Sequence, residues 1–194
     1  INTVSGFSNP ATSMYYENGE WTNFTELEKT GRFAKVTPVN TTDLVQDPLD
    51  DTHHFASLYR SGLCEYKDGK FVELYNVDNS PLNSIVPDLA SQKYKTVSCS
   101  ALSYDADGNL WMAQSMLDTT FYVRKPDGNW FKLRYNEMSG SSLIDKILHH
   151  SSGIKLVSSR RLEKRGVFCI DMKGTERTTD DKTRLLQDFV NQDN

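Results

Sequence analysis

Only three cysteines, Cys64, Cys99 and Cys169, occur in the 194 residues, and no two of them form a Cys-x-x-Cys pair. A zinc ribbon or a disulfide-stapled scaffold is excluded, since both need dense or closely spaced thiols. The three thiols read as small apolar side chains in strands, with one optional disulfide left open. Positive charge is also scarce, with 22 Lys+Arg against 26 Asp+Glu and a formal net charge of -4. No basic stripe offsets it, so nucleic acid, which binds through release of its counterions, is not an expected partner. No run approaches the roughly 18 consecutive apolar residues of a membrane-crossing helix, so no direct membrane span is expected. The chain opens Ile1-Asn2-Thr3, without an initiator Met or a signal peptide, and reads as a soluble segment cut from something longer.

Aromatic residues are abundant. Nine Tyr, nine Phe and three Trp make up 11% of the chain, and they fall in short runs that favour strands over helices. With 37% hydrophobic and 25% charged residues, the chain can bury a core as one large domain or two small ones. Four turn dipeptides punctuate it: Asn18-Gly19, Asp68-Gly69, Asp107-Gly108 and Asp127-Gly128. Each is expected to supply the two positive φ angles of a type I′ hairpin. Trp21, Phe71 and Trp130 each fall two residues after the Gly of such a pair, which makes the pattern a repeat.

Gly19, Gly69 and Gly128 are 50 and 59 residues apart, and a weaker copy at Gly174 lies 46 further on. Copies of that length suit a four-stranded propeller blade with loop insertions, near the ~40–50 residues of propeller repeats. The expected fold is all-β, a partial β-propeller of about three four-stranded antiparallel blades plus part of another. Residues 13–24 form the tail of a first blade, and the whole blades cover about 30–77, 84–136 and 141–190. Leu143, Ile144, Ile147 and Leu148 have helical spacing, as do Leu185, Leu186, Phe189 and Val190. The repeat assigns both segments to strands, and agreement across copies outranks one short window.

DADGNLWM, Asp105 to Met112, resembles the signature of two-component-regulator propeller repeats. The run from Asp47 to Leu82 and the tail from Lys173 to Leu186 are similar to the N-terminal propeller of PorZ-like surface proteins of the type IX secretion system. The resemblance covers about residue 13 to the end. The sequence departs from the generic repeat at Asp118-Thr119, which stands in place of a Gly-Leu, and in a longer, more basic loop from Ser159 to Arg165. The resemblance implies a non-catalytic propeller placed beyond the inner membrane, in the periplasm, the outer membrane or at the cell surface. It would serve in a secretion assembly or as the ligand-sensing ectodomain of a hybrid signalling protein. The motif residues it carries over, Asp68, Gly69, Asp107, Gly108, Leu110, Trp111, Asp127, Gly128 and Trp130, are structural.

Tests for chemistry find no phosphate loop, nucleophile elbow, His-Glu-x-x-His helix or dinucleotide fingerprint. Ser103 to Gly108 approaches the Ser-x-Asp-x-Gly box of sialidase-type propellers but has one residue too many. Asp50-Asp51 and Asp180-Asp181 offer the paired carboxylates of a glycosidase, yet both pairs stand in turn contexts, where Asp bonds its own backbone. The pairs His53-His54 and His149-His150 occupy unrelated repeat positions, so no metal site is expected of them. Asp105, Asp107 and Asn109 begin like a calcium loop but lack its closing Glu. No catalytic residue, cofactor or metal is assigned. Asn23-Phe24-Thr25 and Asn40-Thr41-Thr42 match the glycosylation pattern, which a bacterial source would leave idle.

One dense basic cluster remains, Arg160-Arg161-Leu162-Glu163-Lys164-Arg165. It links two strands of one blade and should project from a propeller face. Arg160, Arg161, Lys164 and Arg165 suit carboxylate, sulfate or phosphate, and Tyr59 on the neighbouring copy's equivalent loop would stack on a sugar ring. The expected partners are an anionic glycan or lipopolysaccharide, together with other blades or self-association across the open blade faces.

Overall fold

The computed structural model describes residues 13–24, 39–86, 96–141, 143–159 and 166–187. The chain divides into two compact units, Ile1–Leu102 and Ser103–Asn194, and the division falls inside the seventh strand. The fourteen described strands form three four-stranded sheets and one two-stranded sheet. Among the described residues there is no α-helix, only one 3-10 turn at Asn136–Met138.

In the first unit, β1 (Ser13–Glu17) and β2 (Glu20–Phe24) make an antiparallel hairpin. A meander follows: β3 (Val39–Asp47), β4 (Asp50–Tyr59), β5 (Gly62–Lys67) and β6 (Lys70–Tyr75), in that spatial order. Both faces of this sheet are buried. Ala56, Leu58, Cys64, Tyr66 and Leu74 cluster with Phe71 on one, and Phe55, Ser57 and Leu63 are fully enclosed on the other. The segment that leads out is pinned to this sheet: Ser61 bridges Val97, Ser98 Oγ accepts the Arg60 N–H, and Asp43 accepts the Leu102 N–H.

Two more meanders follow, β7 (Ser100–Tyr104), β8 (Leu110–Ala113), β9 (Phe121–Arg124) and β10 (Trp130–Leu133), then β11 (Ile144–His149), β12 (Lys155–Ser159), β13 (Gly166–Asp171) and β14 (Lys182–Leu186). The stretch around Ile144 and Ile147 is a strand, as the repeat requires, and so is the one containing Leu185 and Leu186. Phe189 and Val190 lie outside the described residues. All four residues of β8 are buried, the pattern of a strand covered on both sides. Within this unit a ladder of aromatic rings, Phe121 to Tyr135 at 5.9 Å and Tyr135 to Phe168 at 5.6 Å, joins the two sheets.

The turns correct one expectation. Asn18-Gly19 and Asp68-Gly69 have both φ angles positive, as type I′ requires, but at Asp107-Gly108 and Asp127-Gly128 only the Gly does. Those two are three-residue loops in which Gly108 and Gly128 donate N–H to the carbonyls of Asp105 and Lys125. A type I turn followed by a left-handed Gly closes them. Pro126 fixes the choice at the second, since its locked φ belongs at the first central position of a type I turn. Ser151-Ser152-Gly153 uses the same device between β11 and β12.

Gly62 and Gly166 open the third strand of their sheets with φ of +111° and +137°, and a Cβ there would lie 2.1 and 2.2 Å from the carbonyl oxygens of Tyr75 and Leu186. A side chain is therefore excluded by the neighbouring strand as well as by the backbone. Gly62→Ala should lower the unfolding free energy by at least about 2 kcal/mol, combining strain with displacement of a strand. Gly69→Ala, where the added carbon meets nothing within 4 Å, should cost only about 1–2 kcal/mol of left-handed strain. Urea denaturation of the two variants measures the difference.

Candidate functional site

One side chain of the second unit, Asp105, gathers five hydrogen bonds. Its Oδ1 accepts the N–H groups of Asp107 (3.1 Å) and Asn109 (2.9 Å), and its Oδ2 accepts Trp111 Nε1 at 2.8 Å. Asn109 Nδ2 donates to both oxygens. One carboxylate thus shapes the turn and fixes the indole. Burial alone would raise its pKa, but the bonds from Asn109 and Trp111 outweigh that and hold it below the usual carboxylate value.

Trp111, 1% exposed, meets Phe131 and His149 edge to face at 6.4 and 5.5 Å, and Lys155 Nζ stands 5.4 Å from its centroid. His149 Nε2 and Ser103 Oγ share a hydrogen bond at 2.9 Å. The ring's Nδ1 is buried with no partner among the described residues. Burial first, and then the Lys155 charge, lower this imidazole to about 4. A Ser–His pair of this kind differs from an activated nucleophile, because no carboxylate orients Nδ1 and the ring is a weak base. Further along the same two sheets, Tyr135 donates to Asp181 Oδ2 at 2.6 Å, and burial raises both the phenol and the carboxyl.

The first unit carries a polar chain that crosses all four strands of its sheet. His53 Nδ1 lies 3.0 Å from Asp47 Oδ2, its Nε2 lies 2.8 Å from Glu65 Oε1, and Tyr75 donates to Glu65 Oε2 at 2.5 Å. The ring thus spans two carboxylates, one at each nitrogen. Glu65, 7% exposed, is thereby satisfied at both oxygens. Nothing local in the sequence marks this chain, because its members come from four separate strands. Next to it, an open groove of about 490 Å³ is lined by Gln46, Asp47, Pro48, Leu49, Asp50 and Asp51. Two of its three carboxylates are engaged: Asp47 Oδ1 accepts the Leu49 N–H, and Asp50 is lowered to about 2 by Thr52 and by Lys67 at 3.0 Å.

The residues singled out in the sequence fall as follows. Leu110 and Trp111 are buried, and Trp130 is half-buried on β10. Asp68 and Gly69 form the β5–β6 turn, Asp107 and Gly108 the β7–β8 turn, and Asp127 and Gly128 the β9–β10 turn, where Asp127 accepts the Asn129 N–H. Tyr59 ends β4 with the Arg60 guanidinium 5.3 Å from its centroid, so one ring face is already covered. Arg160, Arg161, Lys164 and Arg165 lie outside the described residues. Asp180 accepts the Thr175 hydroxyl at 2.9 Å and Asp181 serves Tyr135, so the two adjacent acids have different partners. All three cysteines are free. Burial pushes the Cys64 thiol up and the Cys99 thiol up to about 12. No group of three or more His, Cys, Asp or Glu among the described residues is placed to hold a metal.

Successive four-stranded antiparallel meanders of this kind define propeller blades. The chain is an all-β partial propeller of three such blades plus a two-stranded remnant. Among solved structures it is similar to PorZ, an essential bacterial surface component of the type IX secretion system of Porphyromonas gingivalis, with TM-score 0.81 and 22% identity over 98% of this chain. It is also similar to the extracellular domain of a protein assigned to the hybrid two-component systems of B. thetaiotaomicron, with TM-score 0.55 and 14% identity over 88% of this chain. At these identities the likeness is one of fold. The chain spans 26% of the first structure's length and 20% of the second's. No family model and no curated protein matches it.

Two measurements check the site. Asp105→Ala strands the buried indole N–H and should cost about 1–3 kcal/mol, whereas Asp127→Ala, at an exposed turn, should cost less than about 1 kcal/mol. His149 titrates lower in the folded chain than in the unfolded one, so the unfolded state binds more protons between the ordinary value of 6.5 and about 4. Stability should therefore fall as pH drops through that window, by up to about 1.4 kcal/mol per pH unit from this group. His149→Gln should flatten the slope in urea titrations at pH 7, 6 and 5.

Proposed function

We propose that the chain is a non-catalytic, extracytoplasmic propeller module with a binding or scaffold role, part of a PorZ-like cell-surface protein associated with secretion. The observation that carries this reading is the match to PorZ over 98% of the chain, which agrees with the motif run from Asp47 to Leu82. Support for a non-catalytic role comes from the polar side chains themselves. Asp50, Asp105, Asp181 and His53 are each bound to neighbouring protein groups, tying turn to strand, strand to strand or, for Asp181 and Tyr135, one connecting segment to another. Antibody raised against residues 1–194 should label intact cells of the source organism, and labelling that appears only after lysis would overturn the surface placement.

A sensor ectodomain is the second reading, favoured by the likeness to the extracellular domain of a hybrid two-component system. In either role the proposed ligand is an anionic glycan or lipopolysaccharide, gripped by Arg160, Arg161, Lys164 and Arg165 in a contact that weakens as salt rises. The triple change Arg160→Ser, Arg161→Ser and Arg165→Ser should abolish low-salt retention on acidic polysaccharide while leaving Tm unchanged. Wild-type chain that shows no salt-sensitive retention would remove the ligand from the reading.

A further inference from the structure

The two sheets of the second unit meet at two edges of opposite character. In their spatial orders β7 and β11 are each the first strand, and β10 and β14 each the last. At the first strands, Ser103 of β7 shares its hydrogen bond with His149 of β11, and Trp111 of β8 lies against the same imidazole. At the last strands, Tyr135 just past β10 donates to Asp181 just before β14. Thr183 of β14 donates to Glu137 at 2.9 Å, and Lys125 pairs with Glu176. The Tyr135 ring also meets Phe121 and Phe168 edge to face. One edge is thus centred on a titratable ring, and the other on several bonds and an aromatic stack.

We propose that this contact is an acid-sensitive hinge, in which proton uptake by His149 parts β7 and β8 from β11 while the Tyr135–Asp181 edge stays closed. A neutral imidazole fits the site, because with its hydrogen on Nε2 it donates to Ser103 Oγ and leaves Nδ1 a bare acceptor. The imidazolium does not fit. It carries a hydrogen on Nδ1 as well, an atom that is buried with no partner among the described residues. The charged groups acting on the ring are Lys155 of β12 and Asp105 of the β7–β8 turn, while Ser103 and Trp111 bring no charge. Lys155 repels a second cation, and the Asp105 oxygens already take five hydrogen bonds. In the closed contact burial and Lys155 keep the ring neutral down to about 4. Once the edge opens, water supplies the missing acceptor and the ring regains its ordinary value of 6.5. The open form therefore gains on the closed one by about tenfold per pH unit as pH falls through that window. The far edge responds in the opposite sense. Burial first, and then the charges of Asp180 and Asp171, raise the Asp181 carboxyl, so falling pH removes a buried charge there instead of adding one. The charges acting on Asp181 and Tyr135, those of Asp180, Asp171 and Glu137, are all negative. Acid loosens the first edge and leaves the last in place, which makes Tyr135 the pivot.

Acrylamide quenching of Trp111 tests the hinge, in a reporter chain whose other two tryptophans are replaced by Trp21→Phe and Trp130→Phe. Between the ordinary 6.5 and about 4 the quenching constant should rise about threefold while far-UV circular dichroism holds. His149→Gln should abolish the rise. Lys155→Gln, which removes the like charge, should move it to higher pH by about half a unit. Tyr135→Phe, which removes the pivot's bond, should let the dichroism fall together with the rise in quenching. Quenching that stays flat across the window overturns the inference, and so does a rise that survives His149→Gln or fails to move in Lys155→Gln. Dichroism lost along with the quenching change in the reporter chain itself, or retained in Tyr135→Phe, overturns it too, because the far edge is then no pivot.

Discussion

A four-stranded sheet that is apolar on both faces has no stable existence alone in water, and that constraint governs the whole chain. Both faces of the β3–β6 sheet and both sides of β8 are buried, so each needs cover on two sides. In the second unit the contact between sheets centres on Trp111. The indole sits against His149 and Phe131 with Lys155 over its face. Its one polar atom is given to Asp105, so the largest apolar side chain of β8 is buried without an unsatisfied donor.

Polar groups sit among these sheets as well, His53 between Asp47 and Glu65 and Asp181 against Tyr135. His53 is bound on both sides by residues of other strands, whereas Asp181 is bound at Oδ2 only and its buried Oδ1 has no partner among the described residues. Such networks contribute more to a unique register than to net stability, because the cost of desolvating the charges offsets much of their attraction. A strand slipped by one residue would take every one of these partners out of reach.

Much of the architecture was legible in the chain. Turn dipeptides followed by an aromatic residue gave the repeat. The repeat in turn overruled the helical spacing around Ile144 and Ile147, because a strand was needed there to complete a sheet. The motif from Asp105 to Met112 was legible as a turn, but not the capture of Trp111 by Asp105, which needs the turn already folded. The turn class of Asp107-Gly108 and Asp127-Gly128 was misread. The dipeptide alone does not reveal whether the strands close after two residues or three, and Asp105 and Pro126 settle that. The His53 chain carried no signal, since Asp47, His53, Glu65 and Tyr75 are ordinary residues until four strands align them.

The sequence by itself determined the all-β class, the four-stranded antiparallel sheets and the glycines that make their turns, because these follow from local backbone preference and side-chain period. Tertiary structure alone decided which polar groups meet, why Gly62 and Gly166 tolerate no side chain, and why Tyr66 is buried while Tyr16 is bare. Those outcomes depend on what lies on the far side of a strand. A neighbouring strand is a long-range contact, set by the closing of the sheet and not by the residues adjacent in the chain.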